Sequence, residues 1–462
     1  MLENVSTVAG VRPHIRSKGE TSPEPACCTS RAGRRGGGRH VTTQDRTTEP
    51  EAVPGRRHRL RLTLILGALI ALGPLTIDMY LPALPSITAD LLTTSSTIQL
   101  TLTGTLVGLA LGQLIVGPLS DAVGRRRPLL IGTAIHVLAS ALIIIAPNVA
   151  VLGGLRVLQG VGAAAGAVVA MAIVRDLFTG RAAATLLSRL ILVMGAAPVL
   201  APTIGGELLR LTDWRGVFAA LALYGLALLP VTAWGLRETL PPQRRRPAGA
   251  RNTLRTYRGL LRDRTFVGLV LVAGLAMAAL FGYVSGSSFV FQEQFGLDQQ
   301  EFGLTFGAGA VWLIAATQLN PVLLRRFEPR QILVAAVSAG TLAGIALFAI
   351  ASTEPSGLAG LLVPLWAVLF AAGLALPNAP ALALSRHGEA AGTAAALLGA
   401  VQFGVGAAIS PMVGVLGNDA VAMGAVVACA MLLALVVLVV VVRPWQLEDL
   451  DEDRTAAAAT AH

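Results

Sequence analysis

The chain has 462 residues, of which 54% are hydrophobic and 13% are charged, and its mean hydropathy is +0.68. A soluble domain carries roughly 25% charged residues, so this composition excludes an ordinary soluble protein. The formal net charge of +10 comes from arginines in alternate loops rather than on one face, which argues against a nucleic-acid-binding protein. The sequence therefore predicts a protein that crosses a membrane several times.

Twelve apolar segments follow one another, each near the roughly 20 residues that span a bilayer as a helix. We predict an all-α membrane protein with twelve transmembrane helices in two six-helix halves. The predicted spans are 62–86, 96–117, 129–147, 152–174, 185–209, 215–236, 265–291, 300–324, 331–352, 357–384, 390–416 and 419–442.

The positions of the basic residues predict the orientation of the spans. An even number of spans puts both termini on one side, and 33 of the 36 Lys and Arg residues fall on that side. The positive-inside rule then makes that side the cytoplasm. The first 55 or so residues are either a disordered tail or the product of a start codon placed too far upstream. The predicted parts are a disordered basic cytoplasmic tail (1–61), a first half (62–236), a cytoplasmic central loop (237–264), a second half (265–442) and a cytoplasmic C-terminal tail (443–462).

Asp78 interrupts the first apolar segment, and charged groups inside spans are costly and mostly functional. At 1.5 Å per residue, Asp78 lies roughly 10 Å below the outer end of the first span and Arg156 roughly 6 Å deep in the fourth, depths that are compatible with side-chain contact. The pair is either a proton-coupling site, in which Arg156 tunes the proton affinity of Asp78, or a structural ion pair. Glu207, toward the outer end of the fifth span, is a second candidate proton site or an interfacial residue.

Polar and aromatic side chains inside the spans are the candidate substrate contacts. Mostly apolar walls with few polar groups suit bulky, amphipathic compounds and loose specificity. The lone His136 in the third span is expected to pack at a helix interface. The predicted substrate-binding residues are Tyr80, Gln159, Tyr283, Asn378 and Gln402.

Three motifs in the first half resemble signatures of one family. Residues 117–127, GPLSDAVGRRR, resemble the loop motif of the major facilitator superfamily, and residues 156–164, RVLQGVGAA, resemble its fourth-span pattern. Residues 195–206, GAAPVLAPTIGG, resemble the fifth-span motif of its proton antiporters. With TIDMYLPALPSI, DWRGVF and LRETLP, they make the chain similar to the Bcr/CflA group of drug-resistance transporters. The match is dense over residues 64–240, whereas the second half matches mainly in span pattern.

The resemblance implies roles for two sets of residues. The loop motif would be a conformational latch between the halves, in which an Asp121 carboxylate meets Arg125; Asp176 is expected to join this charge cluster. Ala122 stands where the family usually has an arginine. The latch residues are Gly117, Asp121, Gly124, Arg125 and Arg126, and the residues of the fifth-span bend are Pro198, Pro202, Gly205 and Gly206.

The resemblance also implies a function: efflux of drug-like small molecules in exchange for protons across the bacterial inner membrane, by alternating access. Its partners would be drugs, protons and the lipid bilayer, without nucleic acid, and the protein would act as a monomer. The proton gradient would drive it, with no cofactor and no metal. One alternative is a dedicated exporter of a single antibiotic, chloramphenicol-like or bicyclomycin-like, or of a host metabolite.

A membrane enzyme or a non-transporting scaffold is the alternative from another class of protein. The sequence shows no metal-binding cluster of cysteines, no phosphate-binding loop and no grouping of Ser, His and Asp typical of a hydrolase. These absences argue against an enzyme.

Overall fold

Fifteen α-helices follow one another along the described residues. The structure is a computed structural model, and it describes residues 56–178, 180–245, 250–353, 357–387 and 391–446. The helices are α1 (Arg56–Asp78), α2 (Leu84–Asp90), α3 (Ser95–Val123), α4 (Arg126–Ile143), α5 (Val149–Leu177), α6 (Gly180–Leu211), α7 (Trp214–Gly235), α8 (Ala250–Leu260), α9 (Arg264–Phe289), α10 (Gln299–Leu323), α11 (Pro329–Ser352), α12 (Gly357–Ser385), α13 (Ala391–Ile409), α14 (Met412–Val415) and α15 (Ala420–Val437).

Twelve segments of the described chain are long and apolar enough to cross a membrane, so the twelve predicted spans are confirmed. The first span comprises α1 and α2, and the eleventh comprises α13 and α14. The short helix α8 lies in the central loop, where the sequence predicts only a loop. α1 begins at Arg56, within the predicted tail, and the rest of that tail (1–55) and residues 447–462 of the C-terminal tail lie outside the described residues.

Two names describe the ends of the helix bundle. The proximal end is the end where α1 begins, and the distal end is the end where α2 finishes. Each span starts at the end where the previous span stopped, so odd-numbered spans run from proximal to distal and even-numbered spans run back.

Glycines allow α3 and α5 to cross at close range in the first half. A Cβ atom on Gly104 would lie 2.8 Å from the carbonyl oxygen of Gly153, and one on Gly108 would overlap the backbone of Val157. The reverse holds for Gly160, where a Cβ would overlap the backbone of α3 at Thr105. Small residues at a fixed spacing are the usual means by which membrane helices approach closely, and here they fix the packing inside one half.

The two halves meet along α3 with α13 and along α6 with α10. Pro198 and Pro202 lie inside α6. Beyond them, the backbone at Gly205 packs directly against Met79 of the first span, and a Cβ on Gly206 would lie 2.6 Å from the carbonyl oxygen of Gln299 in α10. The fifth-span motif therefore lies at the distal part of the interface, where its glycines admit both neighbours.

Candidate functional site

The first span is broken at the residue that the sequence singles out. α1 ends at Asp78, and a short 3-10 turn, Leu81–Ala83, leads into α2. Pro82 has no N–H, so the carbonyl group of Asp78 has no donor four residues later. The break also frees the carbonyl oxygen of Thr76, which accepts a hydrogen bond of 3.0 Å from Nη1 of Arg156.

Arg156 is fully buried in the first half. Its Nη1 also donates to Oε1 of Gln159 at 2.6 Å, while its Nε and Nη2 have no hydrogen-bond partner within the described residues. The guanidinium carbon lies 4.0 Å from the centroid of the Tyr80 ring and 5.7 Å from that of Phe218. Aromatic faces attract a desolvated cation, so two rings take the place that a carboxylate usually has beside a buried arginine.

A chain of hydrogen bonds extends from Arg156 into the third span. Nε2 of Gln159 donates to the Ser140 hydroxyl at 2.7 Å, and that hydroxyl donates to the carbonyl oxygen of His136 at 2.7 Å. Nε2 of His136 lies 2.9 Å from the Thr76 hydroxyl. Because that hydroxyl donates its one hydrogen to the carbonyl oxygen of Leu72, Nε2 of His136 must carry a proton. His136 is packed at a helix interface, as the sequence predicts.

Asp78 and Arg156 do not form the ion pair that was one of the two alternatives from the sequence. Asp78 is 5% exposed, and its carboxyl group has no hydrogen bond or ion pair with any described residue. Thr76 and Tyr80, on either side of Asp78, both contact Arg156, so the backbone of the broken segment presents these two residues, and not Asp78, to the guanidinium group. Compatible depth in the membrane does not imply the same side of a helix.

The Asp78 carboxyl group lies toward the second half. It lies near Tyr283 in α9, whose ring stacks on Phe306 with centroids 5.0 Å apart. The structure thus brings Asp78 and Tyr283 together at the interface between the halves. Tyr80 and Gln159, predicted to bind substrate, instead lie in the buried network around Arg156.

The other predicted residues lie apart from this group. Asn378 is buried, and its Nδ2 donates to Oδ1 of Asn320 at 2.7 Å, a partner that the sequence analysis missed. Gln402 is half-buried on α13. Glu207 lies near the distal end of α6, exposed and 3.4 Å from Arg210, which fits the interfacial alternative.

Hydrogen bonds join the two halves at the distal end. The fully buried Gln99 of α3 donates from Nε2 to Oδ1 of Asn418 at 2.6 Å and to the carbonyl oxygen of Ser285 at 3.2 Å, and its Oε1 accepts from the backbone N–H of Gly414 at 2.9 Å. Nearby, the Ser96 hydroxyl donates to the carbonyl oxygen of Gly414 at 2.8 Å. The side chain of Gln99 thus makes hydrogen bonds to three residues of the second half.

A second contact at the same end involves the break in the first span. The Ser288 hydroxyl of α9 donates to the carbonyl oxygen of Leu81 at 2.6 Å. We call this contact together with those of Gln99 and Ser96 the distal clasp. Its members are Leu81, Ser96, Gln99, Ser285, Ser288, Gly414 and Asn418. The sequence analysis missed the clasp; an uncharged glutamine in the second span was its only signal.

Ionic groups gather at the proximal end of the first half. Arg125, at the start of α4, pairs with Asp121 near the end of α3, and its Nε donates to Asp176 at 2.8 Å. The Asp176 carboxylate also accepts from the Thr239 hydroxyl at 3.2 Å. The predicted association of Asp121, Arg125 and Asp176 is therefore present, but within the first half; no hydrogen bond or ion pair between described residues connects it to the second half.

Glu238, which follows α7, completes this group of residues. We call the group the proximal cluster; its members are Asp121, Arg125, Asp176, Glu238 and Thr239. Its carboxylate accepts from the backbone N–H groups of Arg125 at 2.7 Å and Arg126 at 3.3 Å, at the N-terminal end of α4. Gly124 has φ +98° and lies so close to Glu238 that a Cβ would overlap the carboxylate, so both its conformation and its space require glycine. Burial alone would raise the pKa of Glu238, but the N–H groups of Arg125, Leu240 and Arg126 outweigh it and hold the pKa below its usual value.

The second half has its own ionic group at the proximal end. Asp263 caps α9 by accepting from the N–H groups of Thr265 and Phe266, and its other oxygen lies 3.0 Å from Nε2 of His387. Arg386 lies 3.7 Å from the same oxygen. Burial opposes the charge, but these N–H groups and His387 hold the pKa of Asp263 below its usual value.

Known proteins are similar to this chain in sequence and in fold. The model of the Major Facilitator Superfamily matches residues 64–411. The "Uncharacterized MFS-type transporter YdgK" of Bacillus subtilis (strain 168) is 39% identical over 375 residues, which cover 81% of this chain and 93% of the relative. The "Bicyclomycin resistance protein homolog" of Haemophilus influenzae is 31% identical over 78% of this chain and 90% of its own. "Multidrug resistance protein MdtL" of Escherichia coli O9:H4 is 30% identical over 74% and 85%.

Solved structures agree on the fold. A bacterial homolog of the human lysosomal transporter Spinster, in an inward-facing and occupied conformation, aligns with a TM-score of 0.66 at 15% identity, over 85% of this chain and 97% of that chain. The xylose transporter XylE from E. coli, in a partially occluded inward open conformation, aligns with a TM-score of 0.65 at 14% identity, over 83% and 97%. The relatives are consistent with the predicted Bcr/CflA group, and family and fold are those of membrane transporters rather than enzymes. The chain therefore belongs to the major facilitator superfamily.

Proposed function

We propose that this transporter exports drug-like small molecules from the cytoplasm in exchange for protons, by alternating access to a site between its halves. It acts as a monomer in the bacterial inner membrane, with the proximal end in the cytoplasm. The orientation is supported by the 33 of 36 basic residues on that side. Drug export is supported by relatives that are named for bicyclomycin and multidrug resistance.

The isolated burial of Asp78 is the observation that carries proton coupling. A buried carboxylate without a partner costs several kcal/mol, and protonation removes that cost. Only three residues further on, the carbonyl oxygen of Leu81 accepts the clasp bond from Ser288. A change of charge at Asp78 therefore acts on the same broken segment that joins the two halves at the distal end.

Arg156 has a positioning role in this proposal. It fixes the break through its bond to the Thr76 carbonyl and its contact with the Tyr80 ring. A substrate between the halves would meet Asp78 and Tyr283, so a cationic drug would compete with the proton for the carboxylate.

A drug panel tests the substrate class. The protein is expressed in a host that lacks its major efflux pumps, and susceptibility and accumulation are measured with and without an uncoupler. We expect decreased susceptibility to several amphipathic compounds, abolished by the uncoupler. Protection against a single antibiotic would favour the dedicated exporter, and unchanged susceptibility to every compound would refute drug export.

Substitution of the buried acid tests the coupling. Asp78→Asn should abolish drug-induced proton release while leaving the amount of folded protein in the membrane unchanged. Glu293→Gln, at an exposed acid in the seventh span, is the matched control and should retain proton release. Retained proton release in Asp78→Asn with loss in Glu207→Gln would move the coupling role to Glu207.

A further inference from the structure

A cavity of about 680 Å³ opens at the proximal end of the second half, away from Asp78 and from the proximal cluster. Three spans build it: the seventh at its start, the tenth at its end and the twelfth at its end. The lining residues are Arg264, Thr265, Arg386, Val440, Val441, Val442, Arg443 and Gln446. Neither proton coupling nor drug binding uses this cavity.

Three guanidinium groups share the cavity, and most of their donors are available. Arg264 has no hydrogen bond or ion pair with any described residue, and Arg443 donates only from Nε, to the carbonyl oxygen of Val440 at 3.3 Å. Arg386 lies 3.7 Å from Asp263, but that carboxylate is already bonded to two backbone N–H groups and to His387. The cavity is therefore strongly positive, which favours an anion that accepts several charge-assisted hydrogen bonds.

The walls of the cavity are apolar toward the middle of the last span. Val440 is 60% exposed and Val441 is 40% exposed, and both lie within the twelfth membrane-spanning segment. Trp445, beside the arginines, is 64% exposed, as is usual for an aromatic residue at the membrane interface. An occupant that satisfies both parts must combine an anionic head with hydrocarbon chains.

We propose that this cavity binds the phosphate headgroup of an anionic phospholipid, with the acyl chains lying along Val440 and Val441. Basic cavities between membrane helices commonly hold such headgroups, and the volume lies within the range of small-molecule sites. The bound lipid would connect the proximal ends of α9, α12 and α15. This inference does not depend on the transported substrate.

Another candidate occupant is the acidic segment 448–453 of the same chain, Glu-Asp-Leu-Asp-Glu-Asp. It would neutralise the arginines, but its single apolar side chain, Leu450, covers far less of the exposed valines than two acyl chains would. The charge and the apolar wall together favour the lipid, and the experiment below separates the two.

The test measures lipid retention by the full chain. The protein is purified in detergent, titrated with phosphatidylglycerol or with phosphatidylcholine, and bound lipids are counted by native mass spectrometry. We expect preferential retention of phosphatidylglycerol, and the double variant Arg264→Gln/Arg443→Gln should lose about tenfold to thirtyfold in affinity for it. This pair is chosen because neither residue neutralises a described carboxylate. Arg326→Gln, at an exposed arginine of the same half and end, should retain wild-type affinity.

Further outcomes decide between occupants. Equal retention of both lipids by the wild type, or unchanged phosphatidylglycerol retention in the double variant, would overturn the proposal. Displacement of the lipid by millimolar inorganic phosphate would show that a free anion suffices, and would also overturn it. Phosphatidylglycerol binding that appears only after truncation at Gln446 would assign the cavity to the acidic segment instead.

A second variant tests the location of the lipid in case the double arginine variant does not fold. Val441→Trp fills the cavity and keeps all three arginines, so it should also lower phosphatidylglycerol retention about tenfold if the lipid lies in the cavity. Retention at the wild-type level in a folded Val441→Trp protein would contradict the proposed location. The melting temperature of each variant in detergent shows whether it is folded.

Discussion

The two ends of the bundle are held by different chemistry. At the distal end, neutral amides, hydroxyls and backbone groups join one half to the other through Gln99 and Ser288. At the proximal end, the stronger ionic contacts of Arg125 and Asp263 stay within one half each. Alternating access requires rigid halves and a reversible junction. In the proposed mechanism the charge pairs therefore stabilise each half, while the neutral bonds of the clasp, with a further bond of 3.2 Å from Arg210 to Gln300, form the junction that must open.

Breaking the distal clasp should have the largest effect. Gln99→Ala removes three hydrogen bonds between the halves, each contributing about 1 kcal/mol, so the closed distal end should lose about 3 kcal/mol relative to the open one, or about 100-fold in population. The measurement is the distance between spin labels at Leu92→Cys and Leu416→Cys, exposed residues at the distal ends of the two halves, in a background without native cysteines.

The matched control is Gln113→Ala, the same residue type on the same helix, where Gln113 packs against Gly399 without a described hydrogen bond. This control should keep the short distal distance of the parent protein. A similar widening in both variants would mean that packing along α3, rather than the clasp, holds the distal end.

Weakening the proximal cluster should lower stability without opening the distal end. Glu238→Gln removes the negative charge of the carboxylate that accepts hydrogen bonds from the backbone N–H groups at the start of α4. The free energy of unfolding should fall by about 1–2 kcal/mol. The melting temperature in detergent should fall, while the distance between the distal spin labels stays the same. Glu293→Gln is the control for loss of one exposed carboxylate, and a wider distal distance in Glu238→Gln would contradict the separation of roles.

Asp121→Asn should have a smaller effect on stability and should test the latch. Among the described residues Asp121 pairs only with Arg125, its side chain is 47% exposed, and an exposed ion pair contributes less than about 1 kcal/mol. If Asp121 latches the halves when the distal end is open, the substitution should shift the spin labels toward the short distance, opposite to Gln99→Ala, and lower transport. Glu207→Gln, whose side chain is 48% exposed in a similar pair, should leave the distal distance unchanged.

Acid should produce the smallest effect. Because the pKa of Glu238 is held below its ordinary value of 4.5, its contribution to stability is complete above that pH and is lost as the pH falls through the folded-state pKa. The measurement uses the Asp78→Asn protein, in which residue 78 no longer titrates. Its melting temperature should decline below about pH 4.5, and the double variant Asp78→Asn/Glu238→Gln should show a shallower decline. Equal slopes in the two proteins would contradict this assignment.

The sequence predicted the spans because a bilayer demands long apolar segments, which composition alone reveals. The association of Asp121 with Arg125 was expected from the resemblance of residues 117–127 to the superfamily loop motif, and it is present across the turn between α3 and α4. The presence of Asp176 in the same cluster followed from its position just after a span at the same end.

The ion pair between Asp78 and Arg156, one of the two alternatives from the sequence, is absent from the structure, because depth along two helices carries no information about their rotation. The clasp was missed because Gln99 is uncharged and its partners, Ser285, Gly414 and Asn418, are distant in sequence. Glu238 was visible only as part of the LRETLP motif, whose chemistry depends on the distant turn at Gly124. Contacts of this kind depend on tertiary packing, which local pattern does not reveal.

The neutrality of the distal clasp has a consequence for the conditions in which the protein works. Dissolved ions screen charge pairs, whereas hydrogen bonds between buried uncharged groups are little affected. In the proposed orientation the clasp faces the medium outside the cell, where salt concentration and acidity vary. The strength of the clasp is then nearly independent of the salt concentration outside, whereas the exposed ion pairs at the same end, Arg210 with Glu207 and Arg215 with Asp90, are sensitive to it.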